Sequence, residues 1–162
     1  MHFSARLSAS TNLYLSGMAV SNYRRGTHSV YELTVHLVFS TKYRFKVLEG
    51  EVQLRCRDII RQVCNVMDVQ IMKGVVSKDH VHLHLSYPPK ISISDLMRRI
   101  KGRTSKKLQE EFPHLKQQYW GRHFWSIGYG AWSTGNITQK MIETYLDHHG
   151  EEPNGPEKFI LE

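Results

Sequence analysis

The chain has 162 residues, enough for one well-buried core with a tail or two. Its 22 Lys plus Arg against 15 Asp plus Glu give a net charge of +7 with His neutral, which favours a polyanion such as nucleic acid over a small-molecule substrate. No apolar run approaches the roughly 20 residues that span a bilayer, and Cys56 and Cys64 lie about two helical turns apart, too far for an unstrained disulfide, so a soluble protein of a reducing, cytoplasmic compartment is expected.

Residues 1–28 are Ser-rich, carry arginines and contain no acid. An organellar transit peptide has such a composition, but a start at Met18 with residues 1–17 as an upstream extension is the simpler expectation, and the whole segment reads as a flexible extension. The alternating, β-branched and aromatic "SVYELTVHLVFSTKY" (29–43) predicts a first strand. "EGEVQLRCRDIIRQVCNVMD" (49–68) places Val52, Cys56, Ile59, Ile60 and Val63 at helical spacing behind an acidic first turn. "VQIMKGVVS" and "HVHLHLSYP" predict two strands joined by the turn-forming "SKD". A second helix spans 92–112 with Ser92 or Ser94 as cap; Gly102 inside it suggests a kink or a close backbone approach. "HFWSIGYGAWS" (123–133) reads as a glycine-punctuated strand, and "NITQKMIETYLDHHG" (136–150) as a closing helix.

The order β-α-β-β-α-β-α predicts an α+β chain of ferredoxin-like (split βαβ) type: an antiparallel sheet with helices on one face, plus a C-terminal helix. One domain over 29–150 and a loosely held tail over 151–162 complete the expected organisation.

In "DHVHLHLSYPP" (79–89), His80, His82 and His84 leave one face of a strand. His80 and His84 are about 13 Å apart along it, so a single ion does not reach all three, whereas neighbours about 6.6 Å apart can share one. A half-exposed strand face filled with polar residues gives the same pattern. Tyr145 and His149 fall one turn apart in the closing helix, where a phenol beside a metal ligand would suit phosphoryl transfer; a packed tyrosine and a histidine at a helix C-terminus are the plainer account. The second helix carries Arg98, Arg99, Lys101, Arg103, Lys106 and Lys107, either a solvated face or a phosphate-binding one. Lys42, Arg44 and Arg122 are further phosphate candidates. The aromatics Tyr119, Trp120, Phe124, Trp125, Tyr129 and Trp132 divide between core packing and base stacking.

Taken in order, "HLVFSTKYR", "DHVHLHLSYPP", "KGRTSKKLQEEFP", "YWGRHFWSIGYGAWSTGN" and "IETYLDHH" resemble the single-tyrosine transposases of bacterial insertion sequences, the IS-two-hundred-like enzymes of the HUH endonuclease superfamily. The resemblance covers roughly residues 30–150. It implies that His80 and His82 hold a divalent metal, Mg²⁺ or Mn²⁺, with His84 a bystander, and that Tyr145 attacks a phosphodiester of single-stranded DNA. A 5′-phosphotyrosine and a free 3′-hydroxyl would result, later exchanged without any energy source. The family usually carries glutamine four residues past the tyrosine; His149 stands here, and His148 or Asp147 could take its role. A nitrogen ligand at that position favours Mn²⁺ and other transition metals over Mg²⁺. The resemblance also implies a homodimer that binds hairpins at the element ends, with "STGN" (133–136) a hinge for the tyrosine helix. The competing expectation is a module that binds nucleic acid without cutting it, its histidines incidental. A zinc hydrolase or structural zinc protein fits less well, with no His-Glu-x-x-His helix and no CxxC pair.

Overall fold

The computed structural model describes residues 23–119, 123–133 and 137–149. The expected tail, Trp120, Arg122 and most of the "STGN" hinge lie outside the described residues, as does all of the extension before residue 23. The chain forms two compact units that meet in sequence at Glu32 and Leu33. In the first unit, β1 (Arg24–Arg25) and β2 (Val30–Tyr31) form a small antiparallel hairpin, with the Arg24 guanidinium 5.7 Å from the centre of the Tyr31 ring.

The second unit begins with β3 (Thr34–Ser40), whose odd positions Val35, Leu37 and Phe39 face the main core. It continues through α1 (Gly50–Val66), β4 (Gln70–Val76), β5 (His80–Ser86), α2 (Ile93–Glu111), α3 (Pro113–Gln118), β6 (Gly130–Trp132) and α4 (Gln139–His149). The sheet order is β4-β5-β3-β6, antiparallel throughout, which is the split βαβ arrangement. Val52, Cys56, Ile59 and Ile60 of α1 and Leu96, Met97 and Ile100 of α2 are buried in one cluster with the odd face of β3 and with Val81, Leu83 and Leu85 of β5. Each such side chain contributes about 1.5–3 kcal/mol when fully buried. The Ser92 hydroxyl caps α2 by accepting from the Asp95 amide at 3.1 Å. Arg55 clamps Glu111 through two bonds of 2.6 and 2.9 Å, tying the start of α1 to the end of α2. Among the described residues no helix is long and apolar enough to cross a membrane.

Several local expectations are corrected. The strand expected over 29–43 is broken twice: residues 32 and 33 separate β2 from β3, and Lys42–Arg44 forms a 3-10 turn in which Tyr43 and Arg44 have φ of 59° and 51°. The strand expected over 123–133 shrinks to Gly130–Trp132 plus a single bridge from Trp125 to Thr41, because Gly128, at φ 84°, turns the chain out of the extended region. Pro113 at the first helical position starts α3, a short helix that the polar stretch after Phe112 did not signal. Gly102 makes no close approach: a Cβ there would meet nothing within 4 Å, so α2 simply carries its cost of about 1 kcal/mol against alanine.

Candidate functional site

The even positions of β3 and β5 build the second face of the sheet. Cross-strand register sets Ser40 opposite His80, Val38 opposite His82 and His36 opposite His84. All three histidines of the β5 run therefore point away from α1 and α2. Onto this face α4 lays its own small apolar cluster, in which Ile142, Tyr145 and Leu146 bury Val38, with Trp132 alongside. Tyr145 thus sits on the immediate cross-strand neighbour of His82. Its ring meets that of Trp132 edge-on at 5.9 Å, and burial pushes its phenol above the ordinary tyrosine range.

His36, which the sequence did not single out, is part of this face. Its Nδ1 lies 3.1 Å from His82 Nε2, and its ring stacks on His84 at 4.0 Å and 7°. Burial, then His84 and His82, bring His36 down to about 4; burial, then His80, His84 and Lys73, lower His82. Neutral imidazoles result at pH 7, the form that offers a lone pair to a metal. His80 Nδ1 meets Asp79 Oδ1 at 2.8 Å, the arrangement by which a carboxylate orients a ligating imidazole and leaves Nε2 for the ion. His80 and His82 are ligand types that suit a divalent cation, with Asp79 against His80 Nδ1 and His36 Nδ1 against His82 Nε2. Among the described residues no set of three His, Cys, Asp or Glu converges as a metal cage; His149 ends α4, but its side chain lies outside the described residues.

The depressed pKa of His36 has a consequence for folding. Between an unfolded value of 6.5 and about 4, the unfolded chain binds a proton that the fold refuses, so stability falls as pH drops through that window. The slope is at most about 1.4 kcal/mol per pH unit. Urea denaturation of metal-free protein across the window checks this, and His36→Leu is expected to flatten the curve.

The basic candidates are distributed differently from the histidines. Arg98 pairs with Asp95 at 2.9 Å, and Lys106 and Lys107 reach Glu110 at 4.0 and 3.7 Å. Lys101 turns its ammonium onto the backbone carbonyls of Ser126 and Gly128 at 2.7 and 2.8 Å, and burial lowers it to about 8; it fastens the segment before β6. Among the described residues Arg99 and Arg103 lack a carboxylate partner, and they flank a groove with Val63, Val66 and Met67. All of these α2 residues lie on the helical layer, across the sheet from the histidines. Lys42 lies 5.2 Å from the centre of the Tyr43 ring, and Arg44 is bound to Asp79 at 3.1 Å. Two successive left-handed residues cost about 1–2 kcal/mol each, a strain held in place by hydrogen bonds from Thr41 to Phe45 and Asp79. Tyr119, Phe124 and Trp125 are core residues, and Trp132 belongs to the α4 cluster.

Residues 29–149 match the family described as "Transposase IS200 like". The chain belongs to the IS200-like transposase family. It is 37% identical over 134 residues to the transposase for insertion sequence element IS200 of Salmonella typhimurium, covering 83% of this chain and 88% of that one. It is 32% identical over 124 residues to the ISDra2 transposase TnpA of Deinococcus radiodurans, with 76% of this chain and 89% of that one aligned. A crystal structure of a putative transposase from Deinococcus radiodurans superimposes with a TM-score of 0.72 at 32% identity, over 78% of this chain and 97% of the other. The IS200-like family match thus spans both halves of the site, the β5 histidines and the tyrosine helix.

Proposed function

We propose that this chain cuts and rejoins single-stranded DNA at the ends of an insertion sequence, using Tyr145 as nucleophile and His80 and His82 as ligands of Mg²⁺ or Mn²⁺, with His149 as third ligand. The observation that carries this reading is the placement of Tyr145 on Val38, the cross-strand partner of His82. Family membership supplies the reaction class, and the strand register supports bringing nucleophile and ligand pair to one sheet face.

The chemistry follows from the side chains. The Tyr145 oxygen bonds to the scissile phosphorus as its proton leaves, the bond from phosphorus to the 3′-oxygen breaks, and that oxygen is protonated. A 5′-phosphotyrosine and a 3′-hydroxyl remain, and attack by another 3′-hydroxyl restores a phosphodiester and the free phenol. A divalent cation at the histidines would offset the charge that develops on the phosphate oxygens. Asp79 orients His80 through its Nδ1, and burial favours the neutral form of His82, whose Nε2 must part from His36 Nδ1 before that nitrogen can ligate. The buried Tyr145 phenol resists ionisation in the docked arrangement, so α4 must shift or open to admit the strand before attack. We further propose that the protein acts as a homodimer on hairpin-bearing strands. The test is a denaturing gel of protein mixed with labelled single strands from the flanks of its own gene, with Mn²⁺ or with EDTA. A metal-dependent, protein-linked band is expected; binding on a native gel with no linked product would point to a module that binds DNA without cutting it.

The α2 surface supports a separate contact with DNA phosphates. Converting Arg99 and Arg103 together to Gln is expected to reduce the slope of log affinity against log salt by roughly one to two units. Fluorescence anisotropy of a hairpin at several salt concentrations measures it. An unchanged slope would remove α2 from the DNA surface.

A further inference from the structure

Arg44 stands in the sequence as a phosphate contact, yet its guanidinium is turned inward. Nη2 lies 3.1 Å from Asp79 Oδ2, while the other oxygen of the same carboxylate meets His80 Nδ1 at 2.8 Å. Nη1 points the other way, 3.8 Å from Asp147 Oδ1 on α4, two residues past Tyr145. The approach is enforced by the backbone. Left-handed Tyr43 and Arg44 fold the chain back after β3, the Thr41 amide donates to the Asp79 carbonyl at 2.9 Å, and the Lys42 amide to the Phe124 carbonyl at 2.9 Å. Both partners are sheltered, with the Arg44 side chain 29% and the Asp79 side chain 15% exposed.

We infer that Arg44 is a positioning residue: by holding Asp79 it fixes the orientation and tautomer of His80 toward a divalent cation, and by reaching Asp147 it links that ligand to the tyrosine helix. This rests on the metal-site reading above. The chain of contacts makes it specific. An imidazole that donates Nδ1–H to Asp79 keeps its lone pair on Nε2, and Asp79 can accept that bond in a fixed pose only while its second oxygen is occupied. Arginine suits the task because one planar, permanently charged group serves two carboxylates at an angle.

The test is Mn²⁺ binding to the full chain without DNA, read by the electron paramagnetic resonance signal of free Mn²⁺. Arg44→Met and Asp79→Asn are each expected to weaken binding by about 10- to 100-fold, and Arg44→Lys to recover only part of the loss, since a point charge can hold Asp79 but not both carboxylates. Hairpin binding in EDTA should keep its full salt slope in Arg44→Met, which a phosphate contact would not. Should Arg44→Met fail to fold by circular dichroism, the near-isosteric Asp79→Asn carries the same expectation. Wild-type affinity in the folded variants, or a salt slope lowered by about one unit in Arg44→Met, overturns the inference while leaving the metal site standing. Failure of the wild-type chain itself to bind Mn²⁺ overturns both.

Discussion

Tyr145→Phe is expected to abolish the covalent protein–DNA adduct while leaving hairpin affinity and folding intact. The substitution removes one oxygen and keeps the ring that packs with Ile142 and Leu146 on Val38 and edge-on against Trp132. Loss of the hydroxyl alters stability by about 1 kcal/mol or less. Its effect on strand cleavage is of another order, because no other group in the described part of α4 offers a nucleophile at that place on the histidine face. A decrease of at least about 10³-fold, more than about 4 kcal/mol of barrier, is expected. Adduct yield on denaturing gels, paired with anisotropy for binding, separates the two effects. Residual adduct near the wild-type level would assign the nucleophile elsewhere.

The second large effect concerns the histidines, which are predicted to be unequal. His80→Ala and His82→Ala should each remove metal-dependent cleavage, with Mn²⁺ affinity down by roughly 100-fold or more, since each deletes one of the proposed imidazole ligands. His82→Ala should also cost about 1–3 kcal/mol of stability, because His36 Nδ1 loses its partner at 3.1 Å. His84→Phe should behave differently: it preserves a ring to stack on His36 and is expected to keep Mn²⁺ affinity and cleavage within about tenfold. Calorimetric titration of Mn²⁺ alongside adduct assays would check all three. If His84→Phe is as damaging as His80→Ala, the ligand pair is wrongly assigned.

The architecture and the faces of the histidines were legible from periodicity alone. Alternation in "HVHLHLS" put the three histidines on one face of a strand, and the structure does the same, with Val81, Leu83 and Leu85 buried on the other. The helical stripes of α1 and α2 were equally clear, since a 3.6-residue repeat of Val, Ile, Leu and Cys has few other solutions. What stayed hidden depends on register and on non-local partners. His36 is one histidine in an apolar strand until pairing places it opposite His84. Arg44 and Lys101 look like any surface cations until the left-handed turn and the segment before β6 supply acceptors for them. The parity of His36 with Val38 and Ser40, and the Asp that directly precedes His80, were the signals available for the missed residues. The separation of α2 from the histidines by the full thickness of the sheet, about 10 Å per layer, follows only from the crossover topology.

A bond between Tyr145 and a DNA phosphate is readable by mass spectrometry of the linked species. Protein trapped on a flank-derived single strand with Mn²⁺ would be digested with nuclease and protease and the modified peptide sequenced. A nucleotide remnant is expected on the phenol of Tyr145, absent when EDTA replaces Mn²⁺. A remnant on any other residue, or a complete lack of modified peptide from strands that the protein demonstrably binds, would contradict it.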